Sequence, residues 1–92
     1  MAGTTSIIAR VKELSHQAAD ELCSQVLGEA PARTVVLDLH QTEDASTAAF
    51  ARLVLLRRDL LKDGRDLRLR GLKARAAQIW RVNRLASVLP VQ

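Results

Sequence analysis

The stretch TVVLDL, residues 34–39, constrains the fold of this chain more than any other part. It is short, rich in β-branched residues and apolar at almost every position, whereas a strand with one wet face alternates apolar and polar residues. Near-continuous apolar strands are typical of parallel sheets that are covered on both faces. We therefore expect residues 34–39 to form the central strand of a sheet.

The residues before this strand predict a strand and a helix. Residues 6–11, SIIARV, are apolar and β-branched and predict a short strand. A helix is expected to begin at Ser15, which occupies an N-cap position, and to end at Gly28 in a left-handed conformation. Its apolar stripe recurs at helical spacing: Ala19, Leu22, Cys23 and Val26. The segment EAPAR around Pro31 predicts a turn, because proline donates no backbone hydrogen bond.

The residues after the central strand predict a long helix, an edge strand and a last helix. Residues 48–62 carry a wide apolar face and are followed by Gly64, a helix-ending residue. In DLRLRG, leucine alternates with arginine, which is typical of a strand with one wet side at the edge of a sheet. Residues 73–83 predict the last helix, and Pro90 lies near the end of the chain.

This order of elements, β-α-β-α-β-α, predicts an α/β fold: a small mixed, mostly parallel sheet with helices packed against it. Ninety-two residues are enough for one hydrophobic core, so we expect a single domain over residues 1–92. Phe50 and Trp80 are the two aromatic residues, which indicates an aliphatic core and disfavours a base-stacking surface for single-stranded nucleic acid.

Composition also bears on location. The first residues, MAGTTSIIAR, lack the basic and apolar regions of a secretory signal, and no apolar run reaches the ~18 residues of a membrane span. Cys23 is the single cysteine, so no internal disulfide can form, and we expect it to be buried. These features predict a cytoplasmic protein without membrane insertion.

The net charge of +4 is unevenly distributed. Residues 1–51 contain three basic and seven acidic residues, and residues 52–92 contain eleven basic and three acidic ones. A basic half of this kind can bind nucleic acid, but interleaved aspartates favour a solvated helix face that meets an acidic protein partner. Nucleic-acid binding is therefore kept as a hypothesis below protein binding. It would use Arg57, Arg58, Lys62, Arg65 and Arg68.

Metal and catalytic chemistry have little support in the sequence. His16 and His40 fall on different predicted elements without a second ligand pair, so we expect surface histidines and no metal site. A triad of Ser46, His40 and either Asp44 or Asp38 has no accompanying motif for an oxyanion site. We expect no enzymatic activity, no catalytic residues and no cofactor.

The segment DAST, residues 44–47, lies where the central strand gives way to the longest helix. We expect Ser46 or Thr47 to cap this helix, with Asp44 near the positive end of the helix dipole. A hydroxyl at such a corner is exposed on the rim of the sheet, where a kinase can reach it. A phosphate there would add about −1.5 to −2 charges beside Asp44 and Glu43 and so change partner binding with little change of fold.

In its sequence motifs the chain resembles the STAS domain, named for sulphate transporters and anti-sigma factor antagonists. The resemblance covers residues 6–91 and rests on TVVLDL, on DAST where the family typically reads Asp-Ser-Ser-Gly, on FARLVLLRRDLLKDGRDLRLRGL, and on RLASVLPV before the end. It implies a non-enzymatic partner in a phosphorylation-controlled switch. The unphosphorylated antagonist binds an anti-sigma factor serine kinase and releases the sigma factor, and phosphorylation dissolves the complex.

Carried over position by position, the resemblance makes Ser46 the phosphorylation candidate, with Thr47 as second choice. Asp44, Ala45, Ser46 and Thr47 then form the partner-binding loop and helix start. Thr47 stands where the family has glycine, and Arg84 stands where a helix-ending glycine is usual, with Asn83 as an alternative left-handed cap. The family's first strand is expected to be abbreviated. Small STAS domains also bind the ATPase of bacterial lipid-transporting ABC systems, which is the second hypothesis.

Overall fold

A computed structural model of the chain describes residues 3–29 and 32–92, without the side chain of Glu29. The elements in chain order are β1 (Thr4–Ile8), β2 (Glu13–Leu14), α1 (His16–Glu29), β3 (Thr34–Asp38), β4 (Asp44–Ala45), α2 (Thr47–Lys62), β5 (Asp66–Arg70) and α3 (Ala74–Val82). None of these helices is both long and apolar enough to cross a bilayer within the described residues.

The main sheet has the order β1-β3-β5, with β3 in the centre and parallel neighbours on both sides. This confirms the predicted fold class and the central position of the apolar strand. Alternate residues of β3, Val35 and Leu37, enter the hydrophobic core, and Val36 between them is also buried. Burial on both faces explains why this strand has no polar alternation until Asp38.

Helix α2 contributes five buried residues to the core. Its buried positions recur every three or four residues, which places them on one face of the helix: Ala49, Phe50, Leu53, Leu56 and Leu60. The stripe predicted for α1 is buried in the same cluster, including the Cys23 thiol, whose pKa is raised by burial. Packing of both helices on one face of a three-stranded sheet produces a single core.

The first strand and the first helix end differently from expectation. Strand β1 covers Thr4–Ile8, earlier than the predicted 6–11, and the chain then leaves the sheet. Gly28 lies inside α1 and has no positive φ, so the predicted left-handed stop there is wrong. A single glycine inside a helix costs about 1 kcal/mol, which the packing of Val26 on the same turn can offset. The turn predicted around Pro31 falls mainly on Ala30 and Pro31, which lie outside the described residues.

The carboxyl-terminal segment closes the outer edge of β5. The Leu69 N–H donates to the Pro90 carbonyl at 2.9 Å, and the Gln92 N–H donates to the Leu69 carbonyl at 2.7 Å. The indole N–H of Trp80 on α3 donates to the Leu89 carbonyl at 2.8 Å. These bonds anchor α3 and the last residues to the sheet.

Helix α3 is followed by a residue with left-handed backbone. Arg84 has a φ of 52°, whereas Asn83 has a φ of −86°, so the expectation that Asn83 is the left-handed cap is wrong. A residue with a Cβ pays about 1 kcal/mol for this conformation, and glycine does not. The strain falls on the position where the family usually has glycine.

We expect Arg84→Gly to raise the free energy of unfolding by about 0.5 to 1 kcal/mol, because relief of strain exceeds the added entropy of the unfolded chain. Urea denaturation measures the change. Asn83→Gly is the neighbouring comparison and should destabilise, since Asn83 has an ordinary φ and its amide donates to the Ile79 carbonyl at 2.8 Å. Equal effects of the two substitutions would contradict the assigned backbone conformation.

Candidate functional site

Two helix starts lie side by side at one corner of the molecule. Strands β2 and β4 pair in parallel, with Glu13 opposite Asp44 and Leu14 opposite Ala45. The Ser46 N–H donates to the Leu14 carbonyl at 3.0 Å. Because each short strand leads directly into a helix, the pairing aligns the amino ends of α1 and α2.

Each of these helices is capped by a serine. The Ser46 hydroxyl oxygen accepts a hydrogen bond from the Ala49 N–H at 3.0 Å, and the Ser15 hydroxyl accepts one from the Ala18 N–H at 3.1 Å. Ser46 has the extended backbone of an N-cap, with φ −88° and ψ 156°. The predicted cap at Ser15 is confirmed, and of the two residues predicted to cap α2 it is Ser46 that does so. Both serines are exposed.

A surface cavity of about 410 Å³ opens at this corner. Its lining comes from β2, β4, the starts of α1 and α2, and α3: Glu13, Leu14, Ser15, Asp44, Ala45, Ser46, Thr47, Arg75 and Ile79. Leu14 and Ala45 are buried and form an apolar base, while the serines, Thr47 and the charged residues carry the polar groups. The mixture of an apolar base and exposed polar groups suits recognition of another protein.

Helix α3 is held against this corner by backbone and side-chain bonds. The Ala76 N–H donates to the Glu43 carbonyl at 3.1 Å, and the Arg75 guanidinium lies 3.3 Å from the Asp44 carboxylate. The Asp44 carboxylate also accepts from the Ala45 N–H at 2.8 Å. Asp44 therefore binds Arg75 and its own strand, and it makes no hydrogen bond to the first turn of α2 within the described residues.

The loop before the corner is fixed from inside. Thr42 is fully buried, and its hydroxyl donates to the Val11 carbonyl at 2.8 Å. The Glu43 N–H donates to the Lys12 carbonyl at 2.8 Å. Both bonds tie the loop to the segment just before β2, and neither uses the exposed hydroxyls at the end of the loop.

The four predicted site residues, Asp44, Ala45, Ser46 and Thr47, all line the cavity. Thr47 is exposed, and its hydroxyl accepts a weak hydrogen bond from the Asn83 amide at 3.4 Å. Sequence reasoning missed Ser15, Arg75 and other lining residues, because they are distant along the chain. One signal was present for Ser15: it was predicted as a second N-cap in a second strand-to-helix unit of a parallel sheet.

The electrostatics of the cavity combine both signs. The amino ends of α1 and α2 each carry a partial positive charge, and Arg75 adds a full one. Glu13 and Asp44 carry negative charge on the neighbouring strands. An added anion at Ser46 would meet the backbone N–H groups of α2 on one side and the Asp44 carboxylate on the other.

The other polar cluster lies at the carboxyl ends of β3 and β5. The Asp38 carboxylate accepts from the His40 backbone N–H at 2.9 Å, contacts the His40 ring Nδ1 at 2.8 Å and binds the Arg70 guanidinium at 3.0 Å. Burial raises the pKa of Asp38, but the hydrogen bonds from His40 and Arg70 outweigh it and lower the pKa to about 2.

This cluster shares no hydrogen bond with Ser46, so the Ser46, His40 and Asp triad considered from the sequence is not assembled in the described residues. His16 and His40 are both exposed. Within the described ranges, no group of three or more His, Cys, Asp or Glu residues is arranged to hold a metal ion.

Comparison with known families decides the relationship. The model of the STAS domain family matches residues 2–92. The chain belongs to the STAS domain family. A search of curated proteins found no significant match.

One solved structure supports the same fold for this STAS domain. This chain is similar to the crystal structure of a sulfate transporter family protein from Wolinella succinogenes, with a TM-score of 0.76 and 16% sequence identity. The similarity covers 94% of this chain and 70% of the other. In this STAS domain, the segment DAST occupies a strand-to-helix corner, and its serine is the N-cap of α2.

Proposed function

We propose that this STAS domain protein, acting as a single domain over residues 1–92 in the cytoplasm, binds reversibly to another protein through the corner around Ser46. Its role is that of an anti-sigma factor antagonist, and the partner is an anti-sigma factor serine kinase that phosphorylates Ser46. The observation that carries the proposal is the exposed Ser46 hydroxyl beside a cavity formed by two helix starts.

Phosphorylation at Ser46 would act on the surface and leave the core unchanged. The hydroxyl oxygen lies outside the core and accepts a bond from the Ala49 N–H. A phosphate oxygen can take over that acceptor role, and the positive end of α2 stabilises the added charge. Arg75, 3.3 Å from the Asp44 carboxylate, lines the same cavity as Ser46 and adds positive charge there. The partner, in contrast, would meet about −1.5 to −2 additional charges at the centre of its contact surface.

The test uses three forms of the protein with the cognate anti-sigma kinase. We expect the wild type to gain the mass of one phosphate in the presence of ATP and to lose affinity for the kinase afterwards. Ser46→Asn keeps a cap without charge, and Ser46→Asp keeps the cap with a negative charge, because serine, asparagine and aspartate are similar N-caps. Binding by Ser46→Asp should be at least about tenfold weaker than binding by Ser46→Asn.

The paired variants separate charge from stability. Both should unfold at about the same denaturant concentration as the wild type, so a difference in binding reports the charge alone. If the mass gain persists in Ser46→Asn and is lost in Thr47→Val, the phosphate acceptor is Thr47, the second-choice residue. Absence of any phosphate on either residue, with equal binding by the two Ser46 variants, would refute the phosphorylation switch.

A second candidate is a subunit that binds the ATPase of a lipid-transporting ABC system. The observation in its favour is that both hydroxyls at the corner already accept hydrogen bonds within the chain, Ser46 from Ala49 and Thr47 from Asn83. Neither hydroxyl needs a phosphate to complete its bonding, so the corner can serve as a contact surface unmodified. The similar solved structure is that of a sulfate transporter family protein, which also associates this fold with transport. Co-purification with an ABC ATPase that is equal for Ser46→Asn and Ser46→Asp would favour this candidate.

Nucleic-acid binding through the basic half stays the third hypothesis. Arg57 and Arg68 both bind the Asp66 carboxylate, at 2.7 and 3.1 Å, and Arg65 donates to the Ala32 carbonyl. These intramolecular partners reduce the charge offered to phosphates, which supports a protein partner. Binding that falls steeply with salt would support nucleic acid instead.

A further inference from the structure

Helix α3 forms one wall of the cavity at Ser46. Arg75 and Ile79 line the cavity, and one turn further along the chain the Asn83 amide donates to the Thr47 hydroxyl at 3.4 Å. The helix therefore runs beside the corner from its first turn to its end.

The same face of α3 carries the most exposed large apolar side chain of the described residues. Arg75, Ile79 and Val82 recur at i, i+4 and i+7, which places them on one face of the helix. Val82 is 79% exposed, whereas Ile79 is half-buried. The Val82 side chain adds little to the core, so its apolar surface is available to a partner.

The chain from β5 onward is basic. Residues 67–92 contain six basic residues and no acidic one. Three of the six are paired with aspartates: Arg68 with Asp66, Arg70 with Asp38 and Arg75 with Asp44. The other three, Lys73, Arg81 and Arg84, are exposed and make no ion pair within residues 3–29 and 32–92. Uncompensated positive charge therefore lies at both ends of α3.

We propose that α3 binds an acidic segment of the partner, with Val82 in contact with an apolar side chain of that segment. This inference rests on the proposed function, since it names the chemistry of the surface that binds at the Ser46 corner. Positive potential along α3 attracts a segment of opposite charge, and the apolar contact adds buried area. The acidic groups of the cavity, Glu13 and Asp44, lie on β2 and β4 and so leave the α3 wall basic.

The direction of the proposed switch requires the same chemistry. A phosphate at Ser46 adds negative charge to the cavity that α3 borders. A basic partner segment would be attracted by this charge, and the complex would tighten. An acidic segment is repelled, so phosphorylation releases a partner that the cations of α3 had attracted.

The apolar surface of α3 favours a protein over a membrane or a nucleic acid. Ala76 is buried and Trp80 is half-buried, so the apolar surface left around Val82 is too narrow for a membrane-binding helix. Contacts to nucleic-acid phosphates would use the cations and leave Val82 without a role.

The test is a pair of substitutions of opposite charge at Val82, measured as binding to the anti-sigma kinase in ~0.1 M salt. We expect Val82→Glu to bind at least about tenfold more weakly than Val82→Lys, because the two side chains have similar helix propensity and differ in the sign of their charge. The difference should largely disappear in ~1 M salt, where the Debye length falls to about 3 Å. Val82→Ala should bind more weakly than the wild type at both salt concentrations, since it removes the apolar contact.

Leu27 provides the matched control. It is 59% exposed near the end of α1, about 16 Å along that helix from its start at the corner. Leu27→Glu and Leu27→Lys should therefore bind the kinase equally. Circular dichroism should show a folded chain for all of these variants, because both positions are exposed.

Each other outcome has a distinct meaning. Equal binding by the two Val82 variants, with Ser46→Asp still weaker than Ser46→Asn, would overturn this inference and leave the proposed function intact. Tighter binding by Val82→Glu than by Val82→Lys, or a Leu27 pair that differs as much as the Val82 pair, would also overturn the inference. Absence of kinase binding by the wild type and every variant would refute the proposed function together with this inference.

The same variants distinguish a ligand that carries phosphates. The probes are a DNA duplex and vesicles of phosphatidylserine and phosphatidylcholine. Binding to either probe that is weaker for Val82→Glu than for Val82→Lys, with no difference between the two in kinase binding, would assign the cations of α3 to a phosphate ligand and overturn the proposal.

Discussion

Replacement of Leu53 by alanine is expected to lower the free energy of unfolding by about 2 to 5 kcal/mol. Leu53 is fully buried at the middle of α2 and lies in the core formed with α1 and the sheet. The substitution removes apolar surface and leaves a cavity that neighbours fill only in part. Since small domains have a total stability of about 5 to 15 kcal/mol, this loss is a large share of the whole.

Leu55→Ala is the matched control, because Leu55 lies on the same helix with 49% of its surface exposed. Both substitutions change leucine to alanine at helical positions, so helix propensity cancels in the comparison. Urea denaturation should show a loss for Leu55→Ala that is within about 1 kcal/mol of the wild type. Similar losses at the two positions would mean that the buried face of α2 is wrongly assigned.

Replacement of Asp38 by asparagine should cost about 2 kcal/mol at neutral pH, and this cost should disappear in acid. The Asp38 side chain is 12% exposed, and its pKa is lowered from an ordinary 3.8 to about 2. A lowered pKa in the folded state means that the carboxylate stabilises the fold above about pH 4. The contribution is then lost as the pH falls toward about 2.

The measurement compares unfolding of wild type and Asp38→Asn at pH 7, 4 and 2.5. Other carboxylates titrate equally in both proteins, so the difference between the proteins isolates Asp38. Asp59→Asn, at an exposed position on α2, is the control and should behave as the wild type throughout. A difference for Asp38→Asn that is constant from pH 4 to pH 2.5 would contradict the hydrogen-bonded cluster with His40 and Arg70.

The sequence predicted the three long strands and three helices because their patterns are local. The apolar run before Asp38, the stripe on α1 and the serine before α2 each specify an element from neighbouring residues alone. The central position of β3 followed from its lack of polar alternation. For the same reason, the cap of α2 was predicted to be Ser46 or Thr47, and the structure assigns it to the exposed Ser46.

The two short strands and the full cavity lining were beyond local patterns. Strand β2 has two residues, and its pairing with β4 depends on how the whole chain crosses over. The approach of Arg75 to Asp44 depends on the placement of α3, which long-range packing decides. The end of α1 was misplaced because a glycine was read as a stop, although Gly28 continues the helix.

The bond from Trp80 to Leu89 has a practical consequence. The chain has one tryptophan and no tyrosine, so its near-ultraviolet emission comes from a single indole. That indole is half-buried on α3, next in sequence to Ile79, which lines the cavity at Ser46. Occupation of the cavity or loosening of the last residues should therefore shift the intrinsic fluorescence, and the unlabelled protein can report both its own unfolding and its encounter with a partner.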